Sequence, residues 1–507
     1  MCVAGETLNP HPHPVARGGG AARRTALLLA MAGLVVACSR GGAGQPERRL
    51  ALTPCRVEGL EYQSLCGTLE VFEDRVAKQG RKVPLRVVVV PALAATAEPD
   101  PVVLLAGGPG QAASEQGALL KTVDRIHRNR DIVLVDQRGT GGSRPLECSP
   151  DTPAARLSEK FDDAYREEEF RKCVEGYDAD PRLYTTPIAM DDLDEVREAL
   201  GYSKLNLWGA SYGTRAALVY MRQHPERVRT AILDGVAPMS LYLPLYMPRD
   251  AQRALDLLFE HCEKDAHCAK AFPELKPRVQ ALLERMEKEP VRTQVDHPLT
   301  GVPEEITLTR RVFLQAVLGQ LYSPEITMLV PLMLDRATKG DFSPFVALSQ
   351  GVSGGLSNTL SYGMFFSIVC AEDAPFITSE AITRESQGTW FGEGTVRNML
   401  EPCKVWPKGT VPGGYREPVS SPVPTLLLSG ELDPVTPPSW GEEAKKTLPN
   451  SLHVVVPGVG HNTMGLGCIQ ALMAEFVKQG GVAGLKPACG PELTRPPFFT
   501  SFAGPVP

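Results

Sequence analysis

The sequence predicts an α/β fold, in which a mostly parallel sheet carries helices on both faces and a mostly helical segment is inserted. Three short apolar runs, at residues 102–106, 132–135 and 205–208, each end at a Gly or an Asp. Such runs are typical of strands that are buried on both faces of a parallel sheet. Residues 191–200, between the last two runs, have apolar side chains at helical spacing. Strand and helix therefore alternate, as in α/β proteins.

Further short strands extend the predicted sheet. β-Branched residues cluster or alternate at 66–71 and 83–90, which indicates a leading hairpin. Shorter apolar runs occur at 231–233, 425–429 and 452–456. These runs predict strands on the far side of the sheet.

The insertion is predicted because strand patterns fade between about residues 240 and 420. Apolar residues at helical spacing predict amphipathic helices at 251–259, 279–286, 311–322 and 324–337. We therefore expect the first part of a core at 55–240, a helical cap at 241–420, the second part of the core at 421–495 and a tail at 496–507.

The composition is that of a folded protein. Apolar residues make up 43% of the 507 residues and charged residues 22%, which excludes global disorder. The formal net charge is −6, and Lys and Arg do not cluster in long runs. A nucleic acid would find little to bind on such a chain, so nucleic-acid binding is not expected.

The first residues have the pattern of an export signal. Residues 17–24 are basic, and residues 25–37 are apolar and small but too few to span a bilayer. The run ends in Val-Val-Ala-Cys, which resembles a bacterial lipobox with Cys38 as the lipid anchor. We expect a signal at 1–37, a tether at 38–54 and an exported envelope lipoprotein. The alternatives are an ordinary cleaved signal with Cys38 incidental, and twin-arginine export through Arg23 and Arg24.

Twelve cysteines are many for a reducing compartment. No C-x-x-C pair occurs, and no His pair at finger spacing accompanies Cys262 and Cys268, so no zinc site is expected. No other metal or cofactor is expected either, because the candidate catalytic residues and backbone donors suffice. Loss of Cys2 with the signal and use of Cys38 as the anchor leave an even number of candidates for disulfides. They are Cys55, Cys66, Cys148, Cys173, Cys262, Cys268, Cys370, Cys403, Cys468 and Cys489. Sequential pairing closes the shortest loops, so we expect these ten to form five sequential disulfides.

The strongest local motif is G-x-S-x-G at residues 209–213, between a predicted strand and a predicted helix. A sharp turn of this kind lifts a serine hydroxyl above the sheet edge, with small neighbours because side chains would collide there. Ser211 is therefore the candidate nucleophile. The alternative is a glycine-rich turn with a solvent-facing serine.

A serine nucleophile needs a base, and the base needs an orienting carboxylate. Asp433 and His461 each follow a predicted strand, and the order Ser, Asp, His is that of α/β-hydrolases. Glu431 is the alternative acid. Two backbone N–H groups should stabilise the oxyanion. We expect one from Tyr212 and one from Gly108, with Gly110 in reserve, because the proline between these glycines has no N–H. This glycine loop could otherwise be only a tight turn.

Three stretches together resemble serine aminopeptidases of the prolyl iminopeptidase type, and within them the exported tripeptidyl-aminopeptidase-like branch. They are G-G-P-G at 107–110, D-Q-R-G-T-G-G-S at 136–143 and the serine motif with the following Thr214. The segments 429–437 and 456–462 with Trp440 resemble the C-terminal module of that branch. Ala106 stands where prolyl iminopeptidases usually have His, which agrees better with the tripeptidyl branch.

The resemblance implies an α/β-hydrolase fold and hydrolysis at peptide N-termini through Ser211. Residues 367–373 resemble a C-x-[ED] segment of the branch, which makes Glu372 the candidate that holds the substrate's α-ammonium, or else part of a structural salt bridge. We expect Arg138 to brace Asp136 or a loop carboxylate rather than contact substrate. The expected partners are peptides with a free N-terminus and the anchoring membrane, and the expected state is a monomer. A carboxylesterase or lipase with the same three residues and a non-enzymatic binding protein are the alternative functions.

Overall fold

The structure, a computed structural model, describes residues 50–148, 156–162, 166–357, 359–487, 489 and 493–505. The predicted signal, Cys2 and the predicted lipid anchor Cys38 lie outside the described residues. Within these ranges, no helix combines the length and the apolar character needed to cross a membrane.

The described strands are β1 (Thr53–Cys55), β2 (Ser64–Phe72), β3 (Lys82–Val90), β4 (Val102–Leu105), β5 (Ile132–Val135), β6 (Leu205–Ala210), β7 (Val228–Asp234), β8 (Val291–Asp296), β9 (Pro303–Leu308), β10 (Thr425–Gly430) and β11 (Ser451–Val456). In the described part of the chain, all except β8 and β9 form one nine-stranded sheet in the order β1-β2-β3-β5-β4-β6-β7-β10-β11. The first three pairings are antiparallel and the remaining five are parallel. The predicted leading hairpin and mostly parallel sheet are confirmed.

The described α-helices are α1 (Asp124–His127), α2 (Leu157–Lys160), α3 (Glu167–Gly176), α4 (Thr186–Ala199), α5 (Tyr212–Gln223), α6 (Met247–Lys264), α7 (Ala266–Ala271), α8 (Leu275–Lys288), α9 (Arg310–Gln320), α10 (Pro324–Thr327), α11 (Val330–Thr338), α12 (Ser343–Ser357), α13 (Tyr362–Ile368), α14 (Ser379–Ser386), α15 (Gly392–Leu400), α16 (Pro438–Lys445) and α17 (Gly467–Gln479). A short π-helical turn, Val369–Asp373, continues α13. Shorter 3₁₀ turns connect other elements.

Both faces of the sheet are covered, and the alternation of side chains along the strands shows how. On β4, Val103 and Leu105 point into an apolar cluster that includes residues of α4 and α5. Val102 and Leu104 point into the opposite cluster, which includes residues of α1 and α17. A strand that is buried on both faces must be apolar at every position, which is why these short runs were recognisable in the sequence.

The segment between β7 and β10 is mostly helical and has an apolar core of its own, which contains Phe259, Leu282, Phe313 and Phe345. The helix expected at 324–337 is two helices, α10 and α11, because Pro331 in the first turn of α11 has no N–H to continue α10. The antiparallel hairpin of β8 and β9 was not expected. Its strands carry many polar residues and are largely exposed, so they lack an apolar strand signal.

All ten cysteines expected to pair are joined in the expected sequential order. The disulfides are Cys55–Cys66, Cys148–Cys173, Cys262–Cys268, Cys370–Cys403 and Cys468–Cys489. Structural disulfides persist in oxidising compartments and are rare in the cytosol.

The disulfides should differ in their contribution to stability, because a cross-link restricts the unfolded chain more when it closes a longer loop. The Cys370–Cys403 separation of 33 residues corresponds to about 4 kcal/mol and the Cys262–Cys268 separation of 6 to about 2 kcal/mol. We expect the double variant Cys370→Ser/Cys403→Ser to unfold at a lower urea concentration than Cys262→Ser/Cys268→Ser. Equal midpoints, or a lower midpoint for the short-loop variant, would contradict this expectation.

Candidate active site

Ser211 occupies the sharp turn between β6 and α5. Its φ of 55° and ψ of −124° lie in a region that residues with a Cβ rarely adopt. Its N–H donates to the carbonyl oxygen of Asp234, at the end of β7, over 2.9 Å. A Cβ at Gly209 would collide with the backbone of Gly213, and one at Gly213 would collide with the carbonyl oxygen of Leu105. Glycine is therefore required on both sides of the serine, as the motif predicted.

His461 and Asp433 form a buried pair at the same end of the sheet. Asp433 follows β10 and His461 follows β11, and these strands are parallel neighbours. His461 Nδ1 lies 2.8 Å from Asp433 Oδ2, and the two side chains are 6% and 0% exposed. Asp433 Oδ1 also accepts from the N–H groups of Val435 and Thr436 at 2.9 and 2.8 Å. Asp433 is thus held in place independently of the imidazole.

The electrostatics of this pair favour a charged imidazolium. Burial alone would lower the pKa of His461, but the negative charges of Asp433 and Asp234 outweigh burial and raise that pKa above its ordinary value. Burial alone would raise the pKa of Asp433, but His461 and the backbone donors hold that pKa below its ordinary value. The carboxylate therefore stays ionised while the imidazole gains a proton.

Glu431, the alternative acid, is occupied elsewhere. Its Oε2 accepts from the N–H of Gly458 at 2.9 Å, which ties the end of β10 to the turn after β11. The carboxylate that hydrogen-bonds to His461 in the structure is that of Asp433.

His461 is held from two sides. The backbone N–H of His461 donates to the carbonyl oxygen of Tyr322, in the helical insertion, over 2.7 Å. The rings of the two residues meet edge to face, with their centroids 5.1 Å apart. On the core side, a Cβ built on Gly235 would lie 3.1 Å from His461 Cε1. Because Ser211 binds the carbonyl of the residue before Gly235, the serine and the imidazole lie at the same end of the sheet. The hydrogen bonds among the described residues do not include one from Ser211 Oγ to His461. Such bonds are often long before substrate binds.

The sequence analysis did not identify Asp234 as a site residue, although it contacts both the serine turn and the segment after His461. Its carboxylate accepts from the N–H of Thr463 at 2.8 Å and from the N–H of Met464 at 3.0 Å. These bonds anchor the segment that follows His461. Burial raises the pKa of Asp234 to about 6 despite the hydrogen bonds. The only signal in the sequence was an Asp-Gly pair at the end of a predicted strand.

A cleft of about 590 Å³, open to solvent, lies beside Ser211. Its described lining includes Gly108, Tyr212 and three tyrosines from the insertion, Tyr242, Tyr246 and Tyr322. The residues with the two predicted oxyanion donors therefore both face the cleft. Gly110, the alternative oxyanion donor, contacts the insertion. Its carbonyl oxygen accepts from the N–H of Ser361 at 3.0 Å.

Glu372 lies behind Tyr212 and outside the described cleft lining. It is 0% exposed. Its Oε1 accepts from Thr186 N–H at 2.6 Å, and its Oε2 accepts from Thr186 Oγ1 at 2.9 Å and from the Tyr415 hydroxyl. Both oxygens are thus already paired within the protein. The salt bridge of this segment is made by the next residue, Asp373, with Arg215 at 3.0 Å.

Arg138 braces a carboxylate, as expected, but that carboxylate is neither Asp136 nor in a loop. It is fully buried and donates to both oxygens of Asp192, on α4, at 2.6 and 2.9 Å. The expectation that it braces Asp136 is wrong, because the Asp136 carboxylate accepts from Ser114 and from the Gly142 N–H instead. Asp192 lies within a helix, and nothing in the local pattern marked it as the partner.

Comparisons with known proteins agree with this geometry. The family described as alpha/beta hydrolase fold matches residues 100–265, and the family described as TAP-like protein matches residues 388–489. Serine protease Hip1 of Mycobacterium tuberculosis is 27% identical over 92% of this chain and 96% of its own length.

Two shorter similarities cover parts of the chain. Proline iminopeptidase of Neisseria meningitidis is 32% identical over 27% of this chain and 32% of its own length. Tripeptidyl aminopeptidase of Streptomyces coelicolor is 28% identical over 34% of this chain and 35% of its own length. The fold is therefore that of the α/β-hydrolases, and the relatives' names support a serine peptidase of the α/β-hydrolase type.

Proposed function

We propose that the protein is an exported serine exopeptidase that releases amino acids or short peptides from the N-termini of peptides by acyl transfer through Ser211. The observation that carries the proposal is the buried His461–Asp433 pair at the sheet end where the strained turn presents Ser211. The disulfides support an extracytoplasmic location, and the relatives' names support a peptidase.

The geometry supports a division of roles. His461 takes the proton of Ser211 as its oxygen attacks the scissile carbonyl, and Asp433 stabilises the resulting imidazolium. The backbone N–H groups of Tyr212 and Gly108 donate to the oxyanion. His461 then returns the proton to the leaving amine. In the second half, His461 takes a proton from the water that attacks the acyl carbonyl and then returns that proton to Ser211 Oγ as the acid leaves.

The exopeptidase part of the proposal rests on the relatives' names, on the resemblance and on the insertion that lines the cleft. The described lining contains Arg215 but no Asp or Glu. Because an α-ammonium needs a carboxylate when it is desolvated, this lining keeps a carboxylesterase as the second candidate function.

The lipid anchor is a separate proposal that rests on the lipobox-like sequence at Cys38. We expect Cys38→Ser to abolish incorporation of an alkyne fatty acid in a Gram-negative host, since the acceptor thiol is gone. Cys2→Ser is the matched control and should still be labelled. Labelling of Cys38→Ser to the wild-type level would disprove the anchor at this position.

The nucleophile and the substrate class can be tested together. Ser211→Ala should abolish turnover of aminoacyl and tripeptidyl anilides with an unchanged melting temperature, whereas Ser203→Ala, at an exposed position, should be fully active. N-Acetylation of the same anilides should remove most of the wild-type rate if a free α-amine is recognised. Retained turnover by Ser211→Ala would disprove the mechanism. Equal rates on free and acetylated substrates, with fast ester hydrolysis, would favour the esterase.

The role of Asp433 predicts a pH shift. Neutral His461 is the active base, so kcat/KM should rise with pH through the pKa of His461, which Asp433 raises. Asp433→Asn removes that negative charge, so the rising limb should move to lower pH while kcat falls by about 10⁴-fold. Glu431→Gln is the matched control and should leave the limb in place. A shift in Glu431→Gln but not in Asp433→Asn would reassign the acid.

A further inference from the structure

The first turn of α5 carries the oxyanion donor and is held from behind by two adjacent acids. Tyr212 follows Ser211 directly, so the position of Tyr212 fixes the N–H that faces the oxyanion. Arg215 lies three residues later and therefore on the same face of the helix. The two residues are 5% and 2% exposed. Glu372 and Asp373 approach this face from the turn that continues α13.

A chain of hydrogen bonds joins Glu372 to Tyr212. Thr186 Oγ1 lies 2.9 Å from Glu372 Oε2 and 2.6 Å from the Tyr212 hydroxyl oxygen. A threonine hydroxyl has one proton. Thr186 Oγ1 donates its proton to Glu372 Oε2, so it accepts from the Tyr212 hydroxyl. Thr186 and Glu372 are 0% exposed, so no water competes for these bonds.

Asp373 holds the same helical turn and the wall of the cleft. It accepts from Arg215 at 3.0 Å, from Arg416 at 2.7 Å and from the N–H of Leu243 at 3.0 Å. Arg215 and Leu243 both line the cleft beside Ser211. The pair of acids therefore connects the nucleophile's helix to the segment of the insertion that faces the substrate.

The acids themselves are fixed. Cys370, two residues before Glu372, forms a disulfide with Cys403. The Tyr415 hydroxyl also donates to Glu372. Glu372 is fully buried, lies outside the described cleft lining and already accepts three hydrogen bonds, so a substrate ammonium could reach it only by displacing buried side chains.

From this arrangement we propose that Glu372 is a positioning residue. Through Thr186 and the Tyr212 hydroxyl it fixes the Tyr212 backbone N–H at the oxyanion position, and Asp373 fixes the same turn through Arg215. We call Glu372 and Asp373, with the residues Thr186 and Arg215 through which they act, the Glu372–Asp373 clamp. The proposal rests on the proposed function, because it assumes that Ser211 is the nucleophile.

The test breaks the chain of hydrogen bonds without changing Glu372 itself. Thr186→Val and Tyr212→Phe each delete one hydroxyl at nearly constant shape. We expect each to lower kcat about tenfold with KM within about twofold, since a small displacement of a catalytic group is enough for such a loss. The double variant should lose no more than either single variant, because both cut the same chain. Thr186→Ser keeps the hydroxyl and should restore most of the rate.

Two further measurements separate positioning from general damage and from amine binding. Tyr62→Phe, which deletes an exposed hydroxyl bonded to Asp124, is the matched control and should keep the wild-type kcat. A fluorophosphonate probe reacts with Ser211 but carries no α-amine, so its labelling rate does not depend on amine binding. That rate should fall in Thr186→Val, Tyr212→Phe and Glu372→Gln by about the same factor as kcat.

Each outcome decides between the accounts. Unchanged kcat in Thr186→Val and Tyr212→Phe would overturn the clamp. It would also be overturned if Glu372→Gln slowed turnover of free-amine peptides but left the labelling rate unchanged, because Glu372 would then bind the amine. Failure of the probe to label wild type, or full activity of Ser211→Ala, would instead disprove the proposed function.

Discussion

The position of Ser211 depends on how closely the first turn of α5 approaches the end of β4. Gly213 sits directly against the carbonyl oxygen of Leu105, where a Cβ would collide. The turn at Ser211 can therefore adopt its positive φ and still place a helix N-terminus, with its free N–H groups, beneath the hydroxyl. The strain of one non-glycine residue is offset by the packing of a buried strand and a buried helix on either side.

The parallel sheet then determines which side chains can reach that turn. Parallel neighbours present their carboxyl ends at the same edge, so the turns after β7, β10 and β11 bring Asp234, Asp433 and His461 together although they are far apart in sequence. Asp234 links these turns to the serine, because its carbonyl accepts from Ser211 and its carboxylate anchors Thr463. The insertion completes the arrangement from the other side, where the Tyr322 carbonyl holds the backbone of His461.

The sequence was most informative where burial on both faces left little choice of residue. The core strands were therefore predictable, as were the serine turn and the strand ends that carry Asp433 and His461. Interactions between distant elements were not. The Arg138–Asp192 pair and the contact of Glu372 with Thr186 join residues far apart in sequence whose local patterns name no partner. The hairpin of β8 and β9 was not predicted because its strands are largely exposed and polar. The contacts between the helical insertion and the core depend on packing that no sequence periodicity encodes.

The buried acids around the site illustrate why charge alone is a poor guide to a residue's role. Asp433 is paired with His461, Asp234 with backbone donors, Asp373 with two arginines and Glu372 with hydroxyls and an N–H. Each carboxylate is thus neutralised or solvated by the protein itself, as desolvated charges require. The described lining of the cleft therefore includes aromatic side chains and Arg215, but no carboxylate. An acid next to a nucleophile should accordingly be assigned to substrate binding only if it can be reached from the cleft, and Glu372, which is fully buried and outside the described cleft lining, fails that criterion.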